Sequence, residues 1–252
     1  HLPKIQHAVL NSSQDHQVSL RTGISTTIIP NVMDFRNPPE PADSYANDLR
    51  ERLELEPGEK FILQPTRVVQ RKGIERAIEL VHRLGIPAKL IISHASGDEG
   101  DEYSVRVREY SELLGVKTLF CEDIVRDERG TLPDGRKLYT LEDMYHAADL
   151  VTYCSRIEGF GNAFLETIYY RKPIVVNNYS IYNYDIRPKG FLAVEMDEHV
   201  TGRVVQDTVS LLENPDVGAR MAEHNYRLAE RFFSYEVLEQ RLFTLLSNCF
   251  GS

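Results

Sequence analysis

The chain has 252 residues, of which 42% are hydrophobic and 27% are charged, and its formal net charge is −9. This length predicts one large globular domain, or one domain with a fragment of another. The acidic balance argues against a nucleic-acid partner, because a nucleic-acid footprint requires clustered surface cations. No apolar run approaches the roughly 20 residues needed to cross a bilayer, and no signal peptide is evident. A cytoplasmic location without membrane association is therefore expected.

Three cysteines, Cys121, Cys154 and Cys249, are widely spaced and odd in number. This pattern argues against a disulfide framework or a zinc site. Cys154 is expected to be a small buried hydrophobe, with a reactive thiol as the alternative. Because residue 1 is His, we expect a processed or shortened chain, with further protein upstream.

The first part of the chain predicts a small unit followed by a linker. Residues 7–10 and 26–29 resemble strands, and residues 12–22 form a polar helical segment between them. Two strands and one helix cannot bury a core alone, so residues 1–30 are predicted to end a preceding domain. Residues 35–43 are rich in proline, which indicates an extended linker, and a short charged helix is expected at 44–53.

After residue 58 the pattern alternates between strands and helices. Strands are predicted at 60–65, 88–92, 116–120, 150–153, 172–176 and 191–194. Helices are predicted at 74–81, 98–115, 140–147, 163–170, 199–212, 216–231 and 234–247. This alternation predicts an α/β fold, a doubly wound and mostly parallel sheet with helices on both faces. In such a sheet, ligands bind beyond the carboxyl ends of the strands.

Residues 155–166 join a short apolar strand to a helix through a turn that contains two glycines. A helix that begins in this way directs backbone N–H groups and a partial positive charge at whatever lies above the turn, which favours an anion. Glu158 and Glu166 frame this end at a separation on the order of 10 Å, from the helical rise. That span suits the sugar and the ribose of a nucleoside diphosphate sugar. The alternative is that both carboxylates are merely solvated.

A second group of charges follows the first strand of the alternating region, at Arg67, Arg71 and Lys72. Departure of a nucleoside diphosphate places negative charge on its phosphates, and fixed cations stabilise that charge in the transition state. Such a group of cations is therefore a candidate for holding a diphosphate. A fully solvated loop remains the alternative.

These segments resemble the retaining glycosyltransferases of GT-B architecture. Glu158-Gly159-Phe160-Gly161 with Glu166 resembles their E-x7-E signature, and residues 66–73 resemble G-R-x-x-x-x-K-G with Thr66 in place of the leading glycine. Residues 29–34 are similar to the I-P-N-G-V-D run where such chains pass from the N-terminal acceptor domain to the C-terminal donor domain. Residues 171–176 are similar to G-K-P-V-V, with arginine in place of the glycine.

The resemblance covers about residues 26–235 and implies a division of the chain. Residues 1–30 would be a remnant of the acceptor domain with the crossover, and residues 31–252 the Rossmann-like, nucleotide-sugar-binding domain with its C-terminal helices. It implies transfer of a hexose from a UDP- or GDP-type sugar to the hydroxyl of a carbohydrate or other acceptor, with retention. The missing N-terminal domain would hold the acceptor, and no cofactor, metal or protein nucleophile would be required.

The resemblance also assigns roles to residues. Arg67, Lys72 and Glu158 are the catalytic candidates: the two cations would hold the diphosphate, and Glu158 would bind sugar hydroxyls. Arg71, at a position that is often acidic in the family, is assigned to solvent. Glu166 would accept hydrogen bonds from the ribose. The donor-binding set is Thr66, Gly159, Phe160, Gly161, Asn162, Ala163, Glu166 and Cys121.

Three loops leave alternatives open. Residues 121–139 are expected to be a structureless insertion beside the base pocket, so the base is not identified. Asp123, Asp127, Glu128 and Asp134 in this loop lack the spacing of metal ligands, and a solvated acidic loop is the preferred interpretation. His94 either approaches a substrate or only packs. The tyrosines at 179, 182 and 184 either stack on a sugar or cover the core.

Rival functions are a non-catalytic nucleotide- or partner-binding module and a GT-B-like epimerase or hydrolase of nucleotide sugars. A nicotinamide dehydrogenase is disfavoured because no G-x-G-x-x-G follows the first strand of the sheet. The last helix either reaches back to the N-terminal domain or simply covers the donor domain. The chain alone is expected to bind a donor weakly and not to turn it over.

Overall fold

The computed structural model of the chain describes residues 6–94 and 102–250. The strands are β1 (Ala8–Val9), β2 (Thr27–Ile28), β3 (Lys60–Gln64), β4 (Ala88–Ile92), β5 (Thr118–Phe120), β6 (Gly130–Thr131), β7 (Lys137–Leu138), β8 (Leu150–Tyr153), β9 (Ile174–Asn177) and β10 (Val194–Met196). The α-helices are α1 (Ser12–Thr22), α2 (Leu49–Arg52), α3 (Ile74–Arg83), α4 (Glu102–Leu113), α5 (Leu141–Ala147), α6 (Asn162–Tyr169), α7 (Gly202–Glu213), α8 (Pro215–Phe233) and α9 (Tyr235–Phe250).

The main sheet has six parallel strands in the order β10-β9-β8-β3-β4-β5. The predicted doubly wound α/β fold is therefore confirmed. The strand order reverses between β3 and β8, because the chain first adds β4 and β5 on one side and then returns to add β8, β9 and β10 on the other. Such a reversal leaves a crevice at the carboxyl ends of the two central strands.

Side chains alternate across the sheet and feed a core on each face. Ile62 of β3 joins one apolar cluster, whereas its neighbours Phe61 and Leu63 join another on the opposite face. The apolar side of α3, predicted from its helical spacing, is buried in the first of these clusters. Helices cover both faces, so the central strands are buried along their length, as parallel sheets require.

Thr140 is the N-cap residue of α5, as predicted. Its hydroxyl accepts from the Asp143 N–H, and the Asp143 side chain accepts from the Thr140 N–H, which forms a capping box. The predicted helix at 44–53 is broken into a short 3-10 turn at Ser44–Ala46 followed by the single helical turn of α2. The strand predicted at residues 191–194 is found slightly later in the chain, as β10. Helix α4 begins at Glu102, and the start predicted for it at 98 lies outside the described residues.

The insertion at 121–139 is not structureless, so that prediction is wrong. Strands β6 and β7 pair as a short antiparallel hairpin. The Tyr45 hydroxyl lies 2.8 Å from the carbonyl oxygens of Gly130 and Leu138, which anchors the hairpin to the segment before α2. Ile124 and Tyr139, at either end of the insertion, are buried in the core. The sequence concealed this because each strand is only two residues long.

The N-terminal unit consists of the parallel pair β1 and β2 with α1 between them. Helix α1 buries none of its residues, as expected for a unit without a core of its own. Helix α9 contacts β2 as well as α8. Among the described residues, no helix has both the length and the apolar character that a membrane crossing requires.

Candidate functional site

A cavity of about 460 Å³ opens at the carboxyl ends of β3 and β8, where the strand order reverses. This volume lies within the range of small-molecule sites. The cavity is lined by Leu10, Asn31, Pro65, Thr66, Arg67, Lys72, His94, Leu141, Tyr153, Glu158, Gly159, Phe160, Gly161, Asn162, Ala163 and Glu166. The structure thus brings together every candidate residue from the sequence except Cys121.

The loop after β3 presents its cations to the cavity through a supported backbone. The buried Gln64 amide donates to the Thr66 hydroxyl at 2.8 Å and accepts from the Thr152 hydroxyl at 2.8 Å, which ties the loop to β8. Gly73 ends the loop at φ 60°, and a Cβ there would collide with the Cys154 carbonyl. Only glycine allows the chain to turn into α3 so close to the β8 strand end.

Lys72 and Glu158 form an ion pair across the two loops, and the side chain of Glu158 is only 9% exposed. Burial lowers the pKa of Lys72 and its neighbours Arg71 and Arg67 lower it further, while Glu158 opposes the change. Arg71 lies 3.5 Å from the same carboxylate. The assignment of Arg71 to solvent is therefore wrong, because this side chain reaches across to the motif loop.

Arg67 is exposed at the cavity wall and makes no ion pair within the described part of the chain. Its charge nevertheless acts on its neighbours, since it lowers the pKa of both Lys72 and His94. An arginine placed in this way is available for bidentate hydrogen bonding to an oxyanion.

Helix α6 begins at the cavity, and its N-cap residue Gly161 offers no side-chain acceptor to the first turn. Gly161 has φ 123°, and a Cβ there would collide with the hydroxyl of Tyr179. That buried hydroxyl donates to the Phe160 carbonyl at 3.1 Å and so fixes the turn. The first N–H groups of a helix lack intrahelical partners, and here they face the cavity that holds Lys72 and Arg67.

Glu166 lies one turn into α6 and accepts a hydrogen bond from the Tyr145 hydroxyl at 3.0 Å. Burial raises the pKa of Glu166, while Tyr145 and the charge of Lys72 oppose the rise. Tyr145 is fully buried and stacks on Tyr170 with ring centroids 4.8 Å apart. The carboxylate on the cavity wall is therefore held in one orientation by Tyr145.

His94 lies on the cavity wall, so of its two interpretations the structure favours the one in which it faces a ligand. Its Nδ1 is 2.8 Å from the Ser93 hydroxyl. Burial and the nearby charges of Arg67 and Lys72 lower the pKa of this imidazole, against a weaker opposing effect of Asp127. A lowered pKa favours the neutral form of the imidazole.

The N-terminal unit supplies part of the wall, which the sequence reasoning did not identify. Leu10 and Asn31 line the cavity, and the amides of Asn31 and Asn162 are hydrogen-bonded. The buried Asn11 side chain donates to the Gly159 carbonyl at 2.7 Å. The only sequence signal was the position of Asn31 in the crossover run.

Cys121 does not line the cavity. Its side chain is 1% exposed and packs in the apolar cluster that contains Leu63, Tyr139 and Met144. Burial raises the pKa of the Cys121 thiol to about 12. The chain turns inward after β5 to anchor the hairpin, which carries this residue into the core. Cys154 is also buried, and burial raises its pKa to about 12, as expected for an inert thiol.

The remaining loops have structural contacts. Asp123 and Asp134 both pair with Arg136, and the described residues contain no group of three or more His, Cys, Asp or Glu side chains placed to hold a metal ion. Tyr179 and Tyr182 are buried in the core, whereas Tyr184 is 75% exposed and lies off the cavity wall. The structure therefore favours core packing over sugar stacking for the two buried tyrosines.

Comparison with known proteins identifies relatives by sequence. No protein-family model matches the chain. It is 30% identical over 270 aligned positions to mannosylglucosylglycerate synthase of Thermotoga maritima, which covers 96% of this chain and 61% of that protein. It is 30% identical over 210 positions to the protein of the same name from Petrotoga mobilis, covering 76% of this chain and 48% of that protein. The chain thus spans less than two thirds of the length of these relatives.

Solved structures resemble the whole described fold. HepE of Anabaena, in complex with UDP and glucose, superposes with a TM-score of 0.77 at 16% identity, covering 96% of this chain and 63% of that chain. A glycosyltransferase from Rickettsia africae gives a TM-score of 0.78 at 13% identity, covering 100% of this chain and 65% of the other. Likeness at such low identity is a likeness of fold, and the fold is the GT-B Rossmann-like one.

Proposed function

Because this chain is a relative of the glycosyltransferases and has the Rossmann-like fold of the GT-B group, we propose that it is their donor-binding domain. In this proposal it binds a nucleoside diphosphate sugar and takes part in transfer of the hexose to an acceptor hydroxyl, with retention at the anomeric carbon. The observation that carries the proposal is the meeting of Arg67, Lys72, Glu158 and Glu166 with the uncapped start of α6 in one cavity.

The cations and the carboxylates of the cavity suit different parts of the donor. Arg67, Lys72 and the first N–H groups of α6 would hold the diphosphate, because fixed cations and a helix N-terminus both favour an oxyanion. Glu158, beside Lys72, would accept hydrogen bonds from the hydroxyls of the sugar. Glu166, oriented by Tyr145, would accept them from the ribose.

The reaction would proceed on one face of the sugar. The bond between the anomeric carbon and the β-phosphate oxygen breaks, and the acceptor oxygen forms its bond on the face that the phosphate leaves. The acceptor proton passes to the departing phosphate oxygen, so no nucleophilic side chain is required. Arg67 and Lys72 would lower the barrier by stabilising the charge that develops on the diphosphate.

The acceptor would be held by a separate domain. We propose that residues 1–30 belong to that domain and its crossover, and that residues 31–252 form the donor domain. Two observations on residues 1–30 support a shared wall: Leu10 lines the cavity, and the Asn11 side chain donates to the Gly159 carbonyl of the motif loop. The relatives are longer than this chain, so a carbohydrate or glycerate-type acceptor is proposed for the whole protein only.

Calorimetry with UDP and GDP, and with their sugar conjugates, tests donor binding. We expect dissociation constants in the micromolar to millimolar range for the chain alone, and a loss of at least about 100-fold in the double variant Arg67→Ala/Lys72→Ala, since two charge-assisted contacts would go. The control is Arg227→Ala, which removes an exposed arginine that pairs on α8 away from the cavity.

Two outcomes would contradict the assignment: absence of binding to either nucleotide series by the wild-type chain, or equal binding by the wild type and the double variant. Nucleotide binding without transfer by the full-length protein, with hydrolysis and epimerisation also absent, would instead indicate a non-catalytic module. Product analysis with and without an acceptor separates transfer from epimerisation and hydrolysis.

A further inference from the structure

Glu198 occupies an unusual position just after β10, in the tight turn between Asp197 and His199. Its backbone is left-handed, with φ 61°. Residues other than glycine and asparagine are disfavoured in this region, so the conformation persists only where surrounding contacts enforce it. Glycine would fit the turn at lower cost. The presence of a glutamate therefore points to a use for its carboxylate.

Both backbone groups and both carboxylate oxygens of Glu198 are engaged. Its N–H donates to the Asn177 side chain at 2.9 Å, and its carbonyl accepts from Arg76 Nε at 2.9 Å. One carboxylate oxygen accepts from the Asn177 amide at 3.0 Å. The other accepts from Arg156 Nε at 2.8 Å and also pairs with Arg76. These five contacts together enforce the conformation of the residue.

The two arginines lie at the roots of the two loops that build the cavity. Arg76 is in the first turn of α3, immediately after the loop that carries Lys72. Arg156 opens the turn that carries Glu158, and its N–H donates to the Arg71 carbonyl at 2.8 Å. The carboxylate of Glu198 therefore binds one residue at the root of each loop, directly behind the point where the loops touch.

Charge also favours this link. Partial burial raises the pKa of Glu198, but the Asn177 amide and the two arginines outweigh it and hold the pKa below its usual value. The buried Arg76 has a second terminal nitrogen without a hydrogen-bond partner in the described part of the chain. That nitrogen lies 3.7 Å from the Glu75 carboxylate, so Glu198 is the closer of the two carboxylates that pair with Arg76. A buried guanidinium group is costly without such a counter-charge.

We infer that Glu198 is a positioning residue for the donor cavity, which sets the spacing between the Lys72 loop and the Glu158 loop through Arg76 and Arg156. This inference rests on the proposed function, because the consequence of that spacing is nucleotide affinity. Removal of the carboxylate would let the loops separate, although Glu198 itself does not line the cavity.

Two variants separate positioning from simple stability. Glu198→Gln keeps the size and removes the charge, whereas Glu198→Gly also relieves the left-handed backbone and so compensates part of any loss of stability. The matched control is Glu223→Gln, since Glu223 also pairs with two arginines, Arg171 and Arg227, on the far surface of α8.

The first readout is exchange of the Arg156 amide, measured by NMR on the free full-length chain. We expect at least about tenfold faster exchange in both Glu198 variants and no change in Glu223→Gln. Only the Glu198 variants let the two loops separate, and this separation weakens the hydrogen bond from the Arg156 N–H to the Arg71 carbonyl. The second readout is UDP affinity, with an expected loss of about tenfold in both variants and a melting temperature of Glu198→Gly within the range of the control.

The third readout is coupling to Lys72. If Glu198 acts through the loop, Glu198→Gln should cost less than about threefold in UDP affinity when Lys72 is already alanine. Unchanged Arg156 exchange, or full additivity of the two variants, would overturn the inference. If the wild type binds no nucleotide, the proposed function fails by itself, and the amide exchange alone decides whether Glu198 ties the loops.

Discussion

Substitution of Glu158 should tighten the binding of a free nucleoside diphosphate while weakening the contribution of the sugar. In the structure the Glu158 carboxylate forms an ion pair with the ammonium group of Lys72 and lies 3.5 Å from the guanidinium group of Arg71. A diphosphate entering the cavity must compete for these cations, and its own charge is repelled by the same carboxylate. Glu158→Gln removes both penalties but keeps the shape of the side chain.

The size of this effect follows from the contact that is exchanged. A hydrogen bond to a charged group contributes about 1.5–3 kcal/mol, and part of this is already offset in the free protein because Arg71 shares the carboxylate. A net gain near 1.4 kcal/mol corresponds to roughly tenfold tighter UDP binding. The stability should move the other way, since Lys72 is buried and loses its partner, and the free energy of unfolding should fall by about 1–3 kcal/mol.

Calorimetry with UDP and with a UDP-sugar, beside thermal denaturation, measures all three quantities. The control is Glu79→Gln, which breaks an exposed pair with Arg83 on α3 and should leave UDP affinity unchanged. The advantage of the UDP-sugar over UDP should shrink in Glu158→Gln, because a neutral amide oxygen accepts hydrogen bonds from the sugar hydroxyls more weakly than a carboxylate does. Weaker UDP binding by this variant would refute the idea that Glu158 and the diphosphate compete for Lys72.

Three further predictions concern the walls of the cavity and the buried thiol. Tyr145→Phe removes a hydrogen bond that opposes the rise in the pKa of Glu166 caused by burial, so this pKa should rise further in the variant. If the ionised carboxylate binds the ribose, UDP affinity falls as Glu166 becomes protonated. As the pH is lowered, the affinity of the variant should therefore begin to fall at a higher pH than that of the wild type. Titration of the dissociation constant against pH measures this shift, and equal profiles would contradict it. Gly161→Ala should lower the free energy of unfolding by about 1–3 kcal/mol, from backbone strain and a clash with Tyr179. Denaturant titration checks the loss, and Tyr179→Phe in the same chain should restore part of it. The thiol of Cys121, with its pKa raised by burial to about 12, should react with iodoacetamide only after the chain unfolds; rapid alkylation in native buffer would show that the thiol is accessible.

The sequence predicted the placement of the site better than its internal contacts. The spacing of apolar residues and the order of elements predicted the parallel sheet, and the two motif loops follow β3 and β8, which flank the reversal in strand order. Because ligand sites of doubly wound sheets lie at such reversals, the meeting of the loops follows from connectivity. The pairing of Arg71 with Glu158 did not follow, since it depends on how far each loop leans across the crevice.

The wrong predictions for Cys121 and for the hairpin share a physical cause. In both cases contacts between segments distant in the sequence outweigh the local sequence pattern. Cys121 follows a strand and so was assigned to the site, but the hairpin behind it draws the residue into the core beside Tyr139. The hairpin is anchored by Tyr45, which lies in the 3-10 turn 85 residues before Gly130, and by the contacts of Lys137 with the same segment. Local sequence carries no signal for such partners, and two-residue strands carry almost none of the periodicity from which strands are predicted.

Glu198 extends this argument to the residues around the site. A carboxylate that lies outside both motifs, on a turn after the last strand of the sheet, contacts the roots of both loops through Arg76 and Arg156. Its left-handed backbone gives no sign in the sequence, because glutamate is an unfavourable choice for that conformation. The motifs therefore supply the groups that would touch a ligand, whereas the spacing between those groups is set by side chains that only the folded structure brings together.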